Sequence, residues 1–308
     1  MLNTASFNGE RSPFQSLTHS DYPMKKRYLI LPFSCLLLFT QGSAVLWSQT
    51  ASADSSYYRQ PRYGVSGTAN IINHRADFQS LPGMPNCCPE FTSGDGTGYT
   101  VGLVYEHPLQ ERWLLGARLA FEHSPASFSS REPTTFIVDG KATPGAFQHE
   151  LEAACNAIWA HHTVGYRALD NLADGRLDLV GYIGLGLGIT TGSSFSQRER
   201  IVEPAGIGEF TDTRSPIRNE LSGEIPDVNP IAADFRLGIS SHVALNSTRT
   251  LLLAPEIWYS IALTDAVPSI SWSMNALRLG AVFQYIPLEE APASPPSPVP
   301  RSEGSIGR

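Results

Sequence analysis

The chain has 308 residues, a formal net charge of −7, and charged side chains at only 17% of its positions. Its 22 Lys and Arg are scattered rather than clustered, which argues against nucleic acid as a partner. The 26 Gly and 23 Pro follow no fixed repeat, which excludes a collagen-like rod, and no stretch reaches the ~20 apolar residues that a membrane-spanning helix needs.

Residues 1–23 precede a second methionine, Met24, and read as an upstream extension, so that translation starts at either Met1 or Met24. From Met24 the order changes. Lys25-Lys26-Arg27 is followed by an apolar run from Tyr28 to Phe39 and then by Gly42-Ser43-Ala44. A charged segment, an apolar segment and small residues in that order predict a signal peptide over 24–44, cleaved after Ala44 or, second choice, after Ala53. An exported chain then keeps Cys87, Cys88 and Cys155, an odd set with an adjacent pair. That is no disulfide framework, and its spacing suits no zinc site, so no metal or other cofactor is expected. A vicinal Cys87–Cys88 bridge remains open in an oxidising compartment, although its geometry would be strained.

From residue 60 onward, period-two alternation recurs. Tyr63, Val65, Ala69 and Ile71 alternate with Gly64, Ser66, Thr68 and Asn70; Tyr99, Val101, Leu103 and Tyr105 follow with Thr100, Gly102 and Glu106 between them. Trp113 to Phe121 repeats the pattern around Arg118, and Leu177 to Ile189 repeats it around Gly184, Gly186 and Gly188. The same holds for Ile231 to Val243, Leu253 to Ile261, and Leu277 to Tyr285. Gln148 to Arg167 is less regular: an odd apolar face (Leu151, Ala153, Ala157, Trp159) gives way to an even one (His162, Val164, Tyr166), which predicts a β-bulge there. Eight strands result. Several exceed the ~5–6 residues usual in soluble domains and match the ~9–11 of a tilted membrane-spanning strand.

One face of these strands is apolar and free of charge. The other is built from small residues and isolated ions: Arg118, Glu122, Asp178, Asp234, Arg236, Glu256 and Arg278. Small residues and balanced ions suit a confined lumen, whereas an apolar face on every strand needs a common apolar partner, and lipid meets them all alike. The connecting segments, 74–97, 108–111, 124–147, 168–176, 192–230, 246–249 and 263–270, alternate long and short, as surface loops and periplasmic turns do. Aromatic residues near strand ends predict two girdles. Tyr63, Tyr105, Trp113, Tyr166 and Tyr285 form one, and Tyr99, Phe121, Trp258, Tyr259 and Trp272 the other. The expectation is an all-β fold, an eight-stranded antiparallel up-and-down transmembrane β-barrel over residues 60–286, followed by a Pro/Ser-rich disordered tail, 287–308.

The end of the last strand, Arg278-x-Gly280-x-x-Phe283-x-Tyr285, resembles the sorting signal of Gram-negative outer-membrane barrels. That resemblance implies the outer membrane as location, and the barrel-assembly machinery and outer-membrane lipids as partners. "LPGMPNCCPEFTSGDGTGYTVGLVYEHPL" (81–109), "SGEIPDVNP" (222–230) and "LLLAPEIWYS" (251–260) are similar to an OmpA-like group of outer-membrane barrels of Bacteroidetes/Chlorobi type. Some relatives carry a peptidoglycan-binding domain after the barrel; here only the short tail follows Tyr285, so a cell-wall tether is not carried over.

The expected role is structural or surface-binding, in a monomer whose lumen is filled by the seven ions named above. Three alternatives stay open. A hydrolase at the barrel rim would use His161 or His162 with Glu122 or Glu152, but no nucleophile motif accompanies them. A narrow pore would leave the lumen ions lining a path. A secreted lipocalin-like ligand binder would turn the apolar face inward.

Overall fold

The computed structural model describes residues 59–287 except 85–88, 173–176, 205, 207, 211 and 212. The upstream extension, the signal-peptide segment, Cys87, Cys88 and residues 288–308 of the tail lie outside the described residues.

Nine strands are present among the described residues: β1 (Arg62–Phe78), β2 (Phe91–Pro108), β3 (Trp113–Val138), β4 (Lys141–Asn171), β5 (Leu177–Glu203), β6 (Ile217–Gly223), β7 (Ile231–Ala244), β8 (Leu251–Ala262) and β9 (Ser271–Tyr285). Eight of them pair antiparallel in sequence order, with β5 passing directly to β7, and the ring closes where β9 meets β1. Tyr63 opposite Tyr285 marks the end at which the ring begins and finishes, the near end. Ring closure leaves no unpaired edge between these strands. The β2–β3 ladder is interrupted between the Tyr99–His123 and Asp95–Ser127 pairs, where the Pro125 carbonyl accepts from His74 Nε2 instead.

The strand count departs from the eight expected. β6 lies inside the predicted loop 192–230 and pairs only with β5, beyond the ring. The predicted loop 124–147 is also no loop. β3 and β4 run through it as a hairpin that turns at Asp139–Gly140, both at positive φ (51° and 75°). Asp-Gly at a two-residue turn suits the twist of the flanking strands, so the signal was present in the residues. β2 leaves β3 at the Gly94–Phe128 pair, and β3 continues alone with β4 for roughly 30 Å along the strand. β3, β4, β5 and β6 thus project as a sheet from the far end.

Alternation assigns the two faces. On the ring's outer face the side chains are apolar and exposed, among them Leu103 at 61%, Ile189 at 60% and Ile239 at 58%. Inside lie Glu106, Glu122, Asp234, Glu256 and Arg278, all buried. Trp258 and Trp272, expected in a girdle, also point inward and are buried. Their positions have the inward parity on β8 and β9, shared by Glu256, Ser260, Ala276 and Arg278.

The predicted bulge is on the neighbouring strand. From Gln148 to Arg167 β4 keeps one parity, with Leu151, Cys155, Trp159, His161 and Arg167 all buried. Its own irregularity comes only at Ala168, which is left over between the Arg167–Val180 and Leu169–Leu179 pairs. Within the stretch from Gln148 to Arg167 the irregularity is on β5: Asn156 faces Gly192 while Ala157 faces Thr190, which leaves Thr191 as the extra residue. What changes on β4 is chemistry rather than parity. Toward the far end the buried face becomes apolar and the exposed face polar.

Candidate functional site

The interior of the ring is the most constrained chemistry in the molecule. It is filled in tiers from the near end to the far end.

At the near end, Arg62 on β1 contacts Nδ1 of His242 on β7, whose Nε2 lies 3.1 Å from the Tyr182 hydroxyl on β5. Tyr182 donates to Glu106 on β2 at 2.9 Å, and Glu106 stands 4.0 Å from Arg62. One tautomer satisfies this loop of contacts: Nδ1 accepts from the guanidinium and Nε2–H donates to the phenol oxygen. Beside it, Arg167 on β4 pairs with Asp178 on β5 at 3.4 Å.

In the next tier Arg118 on β3 reaches across to Glu256 on β8. Two guanidinium nitrogens donate to the two carboxylate oxygens at 2.8 and 2.7 Å. The planar fork matches the carboxylate, so the pair is directional as well as charged. The guanidinium also lies over the Trp258 ring, 4.7 Å from its centroid.

The third tier centres on Glu122. It accepts from Arg278 at 3.0 and 2.9 Å, from Ser124 at 2.9 Å and from Thr100 at 3.2 Å. Thr100 in turn accepts from Asn70 at 2.8 Å, and Arg278 donates to Ser260 as well. Arg236 donates to Asp234 at 2.8 Å and stands 3.8 Å from Glu122. His161 stacks on Trp159, centroids 5.4 Å apart and planes within 12°. A Cβ at Gly186 would collide with Asp234 and His161, and one at Gly188 with the Trp159 ring.

Beyond this tier the interior becomes apolar. Phe78, Phe91, Phe128, Leu151, Phe195, Val267 and Trp272 form one buried cluster. Phe128 and Trp272 meet edge to face at 5.3 Å, and the Trp272 indole N–H donates to His74 Nδ1 at 3.1 Å.

All seven sequence-predicted lumen residues face inward, but they do not form one group. Glu122, Asp234, Arg236 and Arg278 meet in one tier and Arg118 and Glu256 in another, whereas Asp178 sits apart with Arg167. Sequence reasoning missed Arg62, Glu106, Arg167, Tyr182 and His242. Each has the inward parity of its strand, so extending the alternation to the strand ends would have found them. With them included, five arginines (62, 118, 167, 236, 278) face five carboxylates (106, 122, 178, 234, 256). Buried charge is costly unless paired, and here the two signs balance.

Of the sorting-signal residues, Arg278 points inward, and a Cβ at Gly280 would collide with the Gly67 carbonyl of β1. Phe283 and Tyr285 point outward at the near end. His161 and His162 face opposite sides of the wall, the first buried and the second exposed, so they do not share a site. Glu122 lies inside and Glu152 outside.

The projecting sheet carries a second cluster. Phe147 packs edge to face on Phe136 at 5.4 Å and stacks on Phe210 at 5.5 Å. Arg218 lies over Phe210 at 4.1 Å and donates to both Glu199 oxygens at 2.9 and 2.7 Å.

No family model and no curated protein matches this chain. Solved structures with a similar arrangement include Ail, the attachment invasion locus protein of Yersinia pestis, at 11% identity, covering 73% of this chain and 99% of that one, with a TM-score of 0.29. Neisserial surface protein A is 10% identical over 72% of this chain and 96% of its own, TM-score 0.30. The outer membrane protease OmpT of Escherichia coli is 9% identical over 74% of this chain and 96% of its own, TM-score 0.30. At these scores the likeness carries nothing about function; the chain's own geometry does.

Proposed function

We propose that this chain is a β-barrel of the bacterial outer membrane, with a closed, side-chain-filled lumen, that holds the projecting β3–β6 sheet outside the cell as a binding surface. One observation carries the reading: every strand of the ring turns apolar side chains outward while charged and polar ones are buried within. On β1 the exposed apolar residues run from Tyr63 to Ile71, nine positions along the strand. That suits the ~9–11 residues of a tilted strand that crosses the hydrocarbon layer. Paired rings at its near border, Tyr63 with Tyr105 at 5.3 Å and Trp113 with Tyr166 at 5.0 Å, suit a headgroup girdle.

In water such a band would be an aggregation site far larger than the few hundred Å² a soluble monomer exposes. In a bilayer it is satisfied, and ring closure leaves no open edge. The same placement opposes a lipocalin-like binder, which needs the apolar face inside. The charge-balanced tiers and the apolar cluster beyond them support a closed lumen rather than a pore. Insertion by the barrel-assembly machinery, through the Arg278–Tyr285 end of β9, and a monomeric state belong to this reading.

The test is electrophoretic mobility of the membrane fraction with and without boiling, together with flotation on lipid vesicles. A membrane barrel migrates differently before boiling and floats. A chain that stays monodisperse in buffer without detergent overturns the proposal.

A further inference from the structure

Two connections fold back over the far mouth of the ring, 224–230 ahead of β7 and 263–270 ahead of β9. Both put apolar side chains into the buried cluster, Ile225 and Val228 from the first and Ala266 and Val267 from the second. They are joined to each other at Asn229, whose backbone N–H and side-chain amide donate to the Ala266 and Asp265 carbonyls at 2.7 and 3.1 Å. Thr190 and Ala233 hold their flanks to β5 and β7. The centre of this cap hangs on Trp272 of β9. Its backbone N–H donates to the Asp265 carboxylate at 3.1 Å, and its carbonyl accepts from the Ala266 N–H at 2.8 Å.

Trp272 is held in turn by His74, three residues beyond Ile71, where the apolar band of β1 ends. The indole N–H donates to His74 Nδ1 at 3.1 Å, and His74 Nε2 donates to the Pro125 carbonyl at 3.0 Å. An indole nitrogen only donates and a carbonyl only accepts, so the imidazole fits as its neutral Nε2–H tautomer alone. A proton on Nδ1 would set N–H against N–H. The side chains around the ring offer an imidazolium little. Ile72 and Phe78 lie on either side of it along β1, Phe128 meets it from β3 at 5.6 Å, and Arg75 and Asp77 point outward. Asp265 is already engaged by Trp272. Burial pushes the imidazole below the ordinary histidine value, and the Pro125 carbonyl and Asp95 on β2 only partly offset it.

We propose that His74 is an acid-operated latch on the far mouth: a proton on Nδ1 breaks its bond with the Trp272 indole and frees the 263–270 connection. A cavity of about 40 Å³ already lies beneath the cap, between Asn229 and Ala266 above and Glu122 and Ser124 of the third tier below. A loosened cap admits water there. The latched form takes up the proton less readily than the released one. It therefore holds above the ordinary histidine value of ~6.5 and weakens as pH falls from there through the lower latched value. The latch goes beyond the membrane reading and needs only the ring and its cap.

The experiment is amide hydrogen exchange of the full chain in detergent micelles at about pH 7.5 and about pH 5, either side of the ordinary histidine value. Each rate is divided by that of an unstructured peptide at the same pH. Expected in acid is a loss of protection at Ala266, Ile270 and Trp272 by about tenfold, the scale of one proton over one pH unit. Tyr259 and Ile261 in the ring should keep theirs. His74→Gln offers an oxygen to the indole and an N–H to Pro125 at either pH, and Trp272→Phe removes the indole donor while keeping an apolar ring. Both should abolish the acid step. Protection unchanged by acid in the parent, a loss spread equally over the ring, or an acid step that survives in both variants overturns the latch. Mobility with and without boiling reports on the barrel separately, so that failure leaves the barrel reading intact.

Discussion

One nitrogen of the Arg278 guanidinium, on the last strand, donates to both oxygens of the Glu122 carboxylate on β3, at 3.0 and 2.9 Å, across the interior of the ring. The two residues are 156 positions apart, and both are buried. Glu122 also faces Arg236 at 3.8 Å, so one carboxylate balances two cations shared with Asp234. Removing it leaves buried charge uncompensated. Glu122→Gln should destabilise the protein by about 3–5 kcal/mol, read as a lower urea midpoint for loss of the unboiled gel form. Glu122→Leu combined with Arg278→Leu should recover most of that loss, because no lone charge of the pair remains. An unchanged midpoint in Glu122→Gln would show that the pair contributes nothing.

Arg236 distinguishes a plug from a path. Its side chain is buried against Asp234, with the guanidinium 5.6 Å from the Trp159 ring. Arg236→Leu should lower the melting temperature while planar-bilayer conductance stays at the baseline of the parent protein. A large gain in conductance at unchanged stability would identify a gated pore.

Gly280 has two candidate roles that can be separated. The sorting-signal resemblance makes it part of a recognition motif, whereas in the structure a Cβ at this position would meet the Gly67 carbonyl and the Thr68 side chain of β1. Gly280→Ala should therefore cost about 1–3 kcal/mol through overpacking, even when the purified chain is refolded into detergent without assembly factors. Normal refolding there, with failure only in cells, would assign Gly280 to recognition alone.

On the projecting sheet, Glu150 offers a pH test. Burial pushes its carboxyl up, but hydrogen bonds from Arg198 and Arg200 outweigh that and hold it below the ordinary carboxylate range. A depressed carboxyl contributes stability above its unfolded value of ~4.3 and loses it as pH falls through the folded value. Amide protection at Gln148–Glu150 should thus fall on acidification below about pH 4.3. Glu150→Gln should lower protection at neutral pH by no more than ~1 kcal/mol, since the pairs are surface ones, and should flatten the acid dependence. Parallel acid profiles for both proteins would remove Glu150 as the cause.

Much of the fold is legible residue by residue, and the failures are instructive. The alternation of Leu277 to Tyr285 identifies a strand and its two faces without reference to anything else. On β4, however, the apolar residues move from odd to even positions, and a one-strand reading takes that for a bulge. The backbone keeps its parity there; the surroundings change instead. Near Leu151 the interior is an apolar cluster, and near His161 it is an array of ions. Only the assembled ring reveals this, because the environment of a face is set by seven other strands.

The near-end tier shows the same division. Glu106 and His242 already stood at inward positions, but nothing local says that they meet Arg62 and Tyr182. Local pattern by itself determined that this chain makes long antiparallel strands with one greasy and one polar side, since side-chain direction follows from backbone pleat alone. Tertiary structure decided that the ring closes, which ion finds which, and that Trp258 and Trp272 lie inside. Those outcomes depend on contacts between residues far apart in the chain, and the register that brings them together is a property of the closed sheet as a whole.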